Sequence, residues 1–124
     1  MLVRELLESK GYEVHSISPQ ATVFDALNLM AEKEIGALVV IEDDKMVGIL
    51  SERDYARKVI LVGKNSQETP VHEIMTTEVI HTSPDDKVQK CLSLMTKKHF
   101  RHMPVLEEGR VVGILSIGDL KSKF

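Results

Sequence analysis

Tryptophan is absent from this chain of 124 residues, and only 2 tyrosines and 3 phenylalanines stand in for it. So few aromatic rings leave little to stack on bases, and a formal net charge of -3 gives no pull towards nucleic acid or an anionic membrane. Cys91 is the single cysteine, so no intrachain disulfide can form and a reducing compartment is expected. No run of about 18 apolar residues occurs to span a bilayer. The opening MLVRELLESKG mixes acid and base where a signal peptide needs an apolar stretch. These absences predict a soluble, cytoplasmic protein with neither nucleic acid nor membrane as its partner. Enzyme signatures are missing too: no G-x-G-x-x-G, no Gly-rich phosphate loop, no H-E-x-x-H and no cysteine pair. The histidines are scattered, with His81 in a predicted strand and His99 and His102 across a helix end and strand start, so no metal site is expected.

What remains is an ordinary globular composition, 43% hydrophobic and 28% charged, in a chain long enough to bury a core without staples. Its main feature is an internal repeat. Sliding the chain by 65 residues (78 − 13) lays 13–59 on 78–124 without a gap. Val14, Pro19, Val23, Leu27 and Met30 then meet Val79, Pro84, Val88, Leu92 and Met95. Gly48, Ile49, Leu50, Ser51 and Asp54 meet Gly113, Ile114, Leu115, Ser116 and Asp119. Upstream, LVRELL and PVHEIM align at a slightly larger offset, so each copy is expected to own a short leading helix.

Period and punctuation give each copy the order β-α-β-β-α, an α/β (α+β) fold. EVHSIS and EVIHTS predict short strands stopped by Pro19 and Pro84. Thr22 and Asp25 form a capping-box pattern, and Val23, Leu27 and Met30 recur at helical spacing. GALVVIE, a turn at EDDK and MVGIL predict a hairpin that RHMPVLE, EGR and VVGIL repeat. SERDYARKVILV predicts a helix. The expected organisation is repeat 1 over 1–62, a polar linker over 63–69 and repeat 2 over 70–124, the last helix ending five residues after Asp119 as though cut short. One copy of about 60 residues is marginal alone, so the two are expected to fold as one body.

GILSERD and GILSIGD pose the functional question. Ser-x-x-Asp after a strand is first of all a helix cap: the serine accepts a backbone N–H, and the acid at the third helical position reaches back to the cap. The same turn suits a ligand. A carboxylate accepts from vicinal ribose hydroxyls, and the helix start beside it offers N–H groups and a positive dipole end to phosphate. Gly48 and Gly113 thin the strand where another group can approach.

The gapless duplication, the GALVV and HMPVL strands and the two G-h-h-S-x-x-D turns resemble a cystathionine-β-synthase (CBS) domain pair, also called a Bateman module. The resemblance covers the whole chain and its wording is closest to free-standing prokaryotic members. It implies one pseudo-two-fold module with two clefts between the repeats, often a homodimer, sensing AMP, ADP, ATP, NAD or S-adenosylmethionine and signalling to a regulated protein not identifiable from this chain. By the same resemblance Asp54 and Asp119 would bind ribose, with Ser51 and Ser116 on ribose or phosphate. Ser16, Ile17 and Ser18, and His81, Thr82 and Ser83, would line the adenine pockets. Gly36 and Ala37 would wall the first cleft where Arg101 and His102 wall the second, so the clefts should differ. Arg53, Arg57, Arg101 and His102 are the phosphate candidates, because guanidinium forks suit phosphate oxygens.

Plainer readings stand beside these. Arg57 and Lys58 fit a solvated helix face, and Cys91, aligned with Ala26, fits a small buried hydrophobe. A catalytic role for Asp54 or Asp119 with His102 would need a tuned pKa that the sequence does not show. A ligand-free dimerisation scaffold is the other alternative, in which the turns serve only as caps. No catalytic cofactor is expected.

Overall fold

Both repeats build their cores on a hairpin. The computed structural model describes residues 1–122; Lys123 and Phe124, where the expected end of the last helix falls, lie outside the described residues. In chain order the elements are α1 (Val3–Lys10), β1 (Ser16–Ile17), α2 (Val23–Lys33), β2 (Ala37–Glu42), β3 (Lys45–Ser51) and α3 (Glu52–Tyr55). Then come α4 (Val71–Ile74), α5 (Val88–Lys98), β4 (His102–Glu107), β5 (Arg110–Ser116) and α6 (Ile117–Lys121).

β2 and β3 pair antiparallel from Ala37 opposite Ser51 to Glu42 opposite Lys45, and β4 and β5 repeat the register from His102 opposite Ser116 to Glu107 opposite Arg110. The turns, Asp43-Asp44 and Glu108-Gly109, have both φ values positive, as a tight two-residue hairpin requires. β1 adds to β2 in parallel, giving a three-stranded sheet in the first repeat and a two-stranded one in the second.

The strand expected at EVIHTS is reduced to one bridge, Thr82 opposite Val105. Thr82 N–H donates to the Pro104 carbonyl and Leu106 N–H to the Thr82 carbonyl. The next rung would need an N–H at Pro104, which proline lacks; in the first repeat that position is Val39 and the rung exists. The helix expected over SERDYARKVILV is interrupted as well: α3 gives way to a wider π-type turn over Ala56–Ile60, in which Leu61 N–H bonds the Ala56 carbonyl. That turn buries Val59 while Ile60, Leu61 and Val62 stay exposed.

Packing divides the chain differently from the repeat. One compact unit is His15–Val79; the other joins Met1–Val14 to the chain from Ile80 onward. Each repeat core therefore holds the leading helix that sequence places ahead of the other copy. Val71 and His72 at the start of α4 donate N–H to the carbonyls of Ala21 and Pro19. Val3 and Arg4 at the start of α1 donate equivalently to Asp86 and Pro84. The segment 63–69, expected as a polar inter-repeat linker, packs with the first-repeat unit: Thr69 is buried, and the Thr69 and Ser66 carbonyls accept from Val23 and Phe24 at the start of α2.

Each unit has its own core, centred on Val23, Ala26, Met30, Leu38, Leu50 and Val71 in the first-repeat unit and on Val3, Leu7, Cys91, Met95, Met103 and Leu115 in the other. Repeat-related positions carry the same duty, Ala26 and Cys91 among them. Leu27 and its repeat counterpart Leu92, at helical spacing from these residues, lie at the margin of the cores.

Candidate functional site: the paired Ser-x-x-Asp turns

Both turns are complete capping boxes. The Asp54 N–H donates to Ser51 Oγ at 3.3 Å, and the Ser51 N–H donates to Asp54 Oδ2 at 2.9 Å. At the second turn the corresponding distances are 3.0 and 2.9 Å. The hairpin fixes what stands beside each cap. Ala37 pairs with Ser51, and the Gly36 carbonyl accepts the Glu52 N–H; His102 pairs with Ser116, and the Arg101 carbonyl accepts the Ile117 N–H. The structure thus gathers Gly36, Ala37, Ser51 and Asp54 in one unit, and Arg101, His102, Ser116 and Asp119 in the other. Arg53 sits on the first turn of α3 and Arg57 on the π-type turn after it, both with exposed side chains.

The two glycines do admit an approaching group, and that group is protein. A Cβ on Gly48 would lie 2.8 Å from Met75 Sδ and 2.9 Å from the Thr76 carbonyl oxygen; one on Gly113 would lie 2.6 Å from Leu7 Cδ2. Met75 and Leu7 are the equivalent residues of LVRELL and PVHEIM. The glycines are therefore explained by the docking of each leading segment against β3 or β5.

The carboxylates differ in what already holds them. Asp54 is 8% exposed. Its Oδ2 accepts from the Ser51 N–H and Oγ, and its Oδ1 accepts from Thr76 Oγ1 at 3.2 Å and pairs with Lys58 at 2.9 Å. Two donors on each oxygen fill the acceptor capacity of a carboxylate. Lys58, expected on a solvated face, is thus a partner of Asp54, and it also donates to the Ile74 carbonyl. At the second turn Asp119 Oδ2 accepts from the Ser116 N–H and from Lys10 Nζ at 2.8 Å, while Oδ1 accepts no hydrogen bond among the described residues. The Asp119 side chain is 27% exposed. Burial pushes this carboxyl up, but the Lys10 ammonium and the Ser116 donors outweigh it and hold it below its ordinary value. Lys10 was not among the residues singled out from sequence; it lies 109 residues before its partner, and no local spacing marks it.

The CBS-domain model matches the chain twice, over residues 3–61 and 71–124. The chain belongs to the CBS-domain family. This CBS pair is 37% identical over 127 residues to the mitochondrial CBS domain-containing protein CBSX3 of Arabidopsis thaliana, covering 95% of this chain and 62% of that relative's length. Among solved structures, a CBS-domain protein of Burkholderia ambifaria MC40-6, provisionally described as acting in signal transduction, is 43% identical with a TM-score of 0.96, over 99% of this chain and 93% of its own. A hexameric CBS-CP12 protein from bloom-forming cyanobacteria is 29% identical with a TM-score of 0.88, over 99% of this chain and 67% of its own.

The strand residues of the CBS pair stand apart from its turns. Ser16 and Ile17 pair with Val39 and Val40, and Ser18 follows them. His81, Thr82 and Ser83 line a concavity of about 350 Å³ with Asp86, Leu106 and Gly109. Thr82, opposite Val105, is three residues along β4 from His102, or about 10 Å at roughly 3.3 Å per residue. Cys91 is buried there and donates its S–H to Thr82 Oγ1, which in turn donates to Asp86 at 2.7 Å. Burial pushes the Cys91 thiol up, and the Thr82 hydroxyl with the Ser83 N–H holds Asp86 below its usual range. In the first-repeat unit a concavity of about 360 Å³ lies between α2, Gly36 and Glu52. No helix among the described residues is long and apolar enough to cross a membrane.

Proposed function

We propose that this CBS pair is a ligand-sensing regulatory module that takes an adenosine-containing nucleotide at its Ser-x-x-Asp turns and passes the occupancy to a partner protein. The observation that carries this reading is the second turn. There a partly exposed carboxylate is locked in place by Ser116 beside Arg101 and His102, and among the described residues its Oδ1 lacks the threonine and lysine donors that Asp54 Oδ1 has. An acceptor-only carboxylate suits a ribose diol and an exposed guanidinium suits phosphate. The concavity at His81, Thr82 and Ser83, about three residues along the same sheet, offers a place for a base at a spacing that a nucleotide can bridge. Asp54, saturated by four donors, acts mainly as a cap, so ligand binding is assigned first to Asp119.

The mechanism is a population shift and no catalytic step: a ligand that binds one packing of the module better than another enriches it. Self-association belongs to the same proposal. The exposed run of Ile60, Leu61 and Val62 is a face that a second copy can cover, and the cyanobacterial relative is hexameric. The single buried thiol suits a reducing compartment such as the cytoplasm.

A thermal-shift titration with AMP, ATP, NAD and S-adenosylmethionine tests the reading. A ligand selective for the native state stabilises it by about 2.7 kcal/mol at 100 times its Kd, so one of these should raise Tm saturably. A flat response to all four would leave the ligand-free scaffold, and turnover of the nucleotide during incubation would favour an enzyme.

A further inference from the structure

The second turn has a cation that the first obtains differently. α1 ends at Lys10, and the chain turns away at Gly11 with φ 106°. Lys10 Nζ donates to the Ile114 carbonyl at 2.6 Å and to Asp119 Oδ2 at 2.8 Å, and its side chain is 28% exposed. An ammonium carries three N–H donors, so these two bonds leave one. At the first turn the cation on Asp54 is Lys58, from the same helix region, with Thr76 as a further donor; the repeat counterpart of Lys58, Lys123, lies outside the described residues, and Gly36 occupies the place that Arg101 has in the second repeat. Among the described residues the second turn therefore has Lys10 of α1 bonded to its carboxylate, and the backbone of Arg101, an exposed residue just before β4, bonded to the Ile117 N–H.

We infer that Lys10 is a ligand-binding residue of the Ser116–Asp119 turn, and that it makes this turn select ribose ligands carrying a phosphate over the uncharged nucleoside. The inference rests on the proposed function, since it assigns a residue and a selectivity to that site. Lys10 and Asp119 form a nearly neutral pair while the site is empty. An incoming phosphate meets an ammonium already immobilised by two bonds, so little side-chain entropy remains to be lost on contact. A charge-assisted hydrogen bond of this kind, partly screened by water, corresponds to about tenfold in affinity. The plainer role for Lys10 is to tie α1 to β5, and that role does not distinguish a nucleoside from its phosphate.

Isothermal titration of adenosine and of AMP, at one ionic strength, against the parent chain, Lys10→Gln and Lys10→Arg separates the two roles. Lys10→Gln removes the charge and keeps an N–H donor group, one bond nearer the backbone. AMP affinity should fall about tenfold in Lys10→Gln, adenosine affinity should stay within about twofold, and Lys10→Arg should keep most of the AMP affinity. Retained adenosine binding doubles as the control for folding. Equal loss for both ligands, or an unchanged AMP preference in Lys10→Gln, overturns the inference and leaves the turn as a ribose site. If Lys10→Gln proves unstable, Lys10→Met read by the same adenosine-to-AMP ratio decides the matter. A parent chain that binds neither ligand defeats the ribose reading itself, and the role of Lys10 with it.

Discussion

Asp54 and Asp119 occupy the same place in the repeat but have different surroundings. Asp54→Ala leaves the Ser51 N–H and the Thr76 hydroxyl without their carboxylate at a buried position, while the exposed Lys58 ammonium keeps the Ile74 carbonyl and water. That should cost about 2–3 kcal/mol in urea unfolding at neutral pH. Asp119→Ala removes a partly exposed cap and ion pair and should cost about 1 kcal/mol. The ordering reverses if the second turn carries more of the structure than its bonding suggests. The acid limb adds a sign. Asp119 is held below its ordinary 3.8, so it stabilises the fold above that value and the stabilisation is lost as pH falls through the lower, folded value. The stability gap between the parent chain and Asp119→Ala should therefore be full at pH 7 and close below about pH 4.

Elements give a sharper test of the leading segments. Gly48→Ala drives a Cβ towards the backbone oxygen of Thr76 as well as Met75 Sδ, against a segment tied by reciprocal Ile49 and Thr76 N–H bonds. Gly113→Ala meets only the end of the Leu7 side chain, which can rotate. Both should destabilise, within the roughly 1–3 kcal/mol of overpacking, with Gly48→Ala the larger. Equal, negligible effects on Tm would mean that the leading segments are not docked as described. Much at this scale was legible in sequence. The 65-residue offset placed both hairpins, α2, α5 and both caps, because hydrophobic period and turn chemistry are local. What was not legible depends on partners. Pro104 removes a rung only because the strand beside it needs an N–H, and GILS contains no sign that its glycine faces Leu7 or Met75. An offset can show that a leading helix exists twice, but not which core each copy joins. Lys10 reached Asp119 by that exchange, so the local pattern pointed to Arg53, Arg57 and Arg101 and passed over it.

For the whole molecule, the CBS pair consists of two units with separate cores, each completed by the short helix that precedes the other repeat in sequence. The α/β class, the duplication and the family were readable because they rest on patterns spread along the whole chain. The ligand was not, because its candidate site is made of backbone and a few polar groups whose differences lie in their neighbours. Regulation by such a module needs a ligand with different affinity for two packings. The proposed function requires that the Ser116–Asp119 turn grip the ribose of an adenosine-containing ligand. Its most direct test is isothermal titration of AMP into the parent chain and into Asp119→Ala, with circular dichroism confirming that the variant is folded. Saturable binding to the parent is expected, with at least about a tenfold loss in the variant, the size of one charge-assisted contact. AMP binding of equal strength to both proteins, or no heat with either, would contradict it.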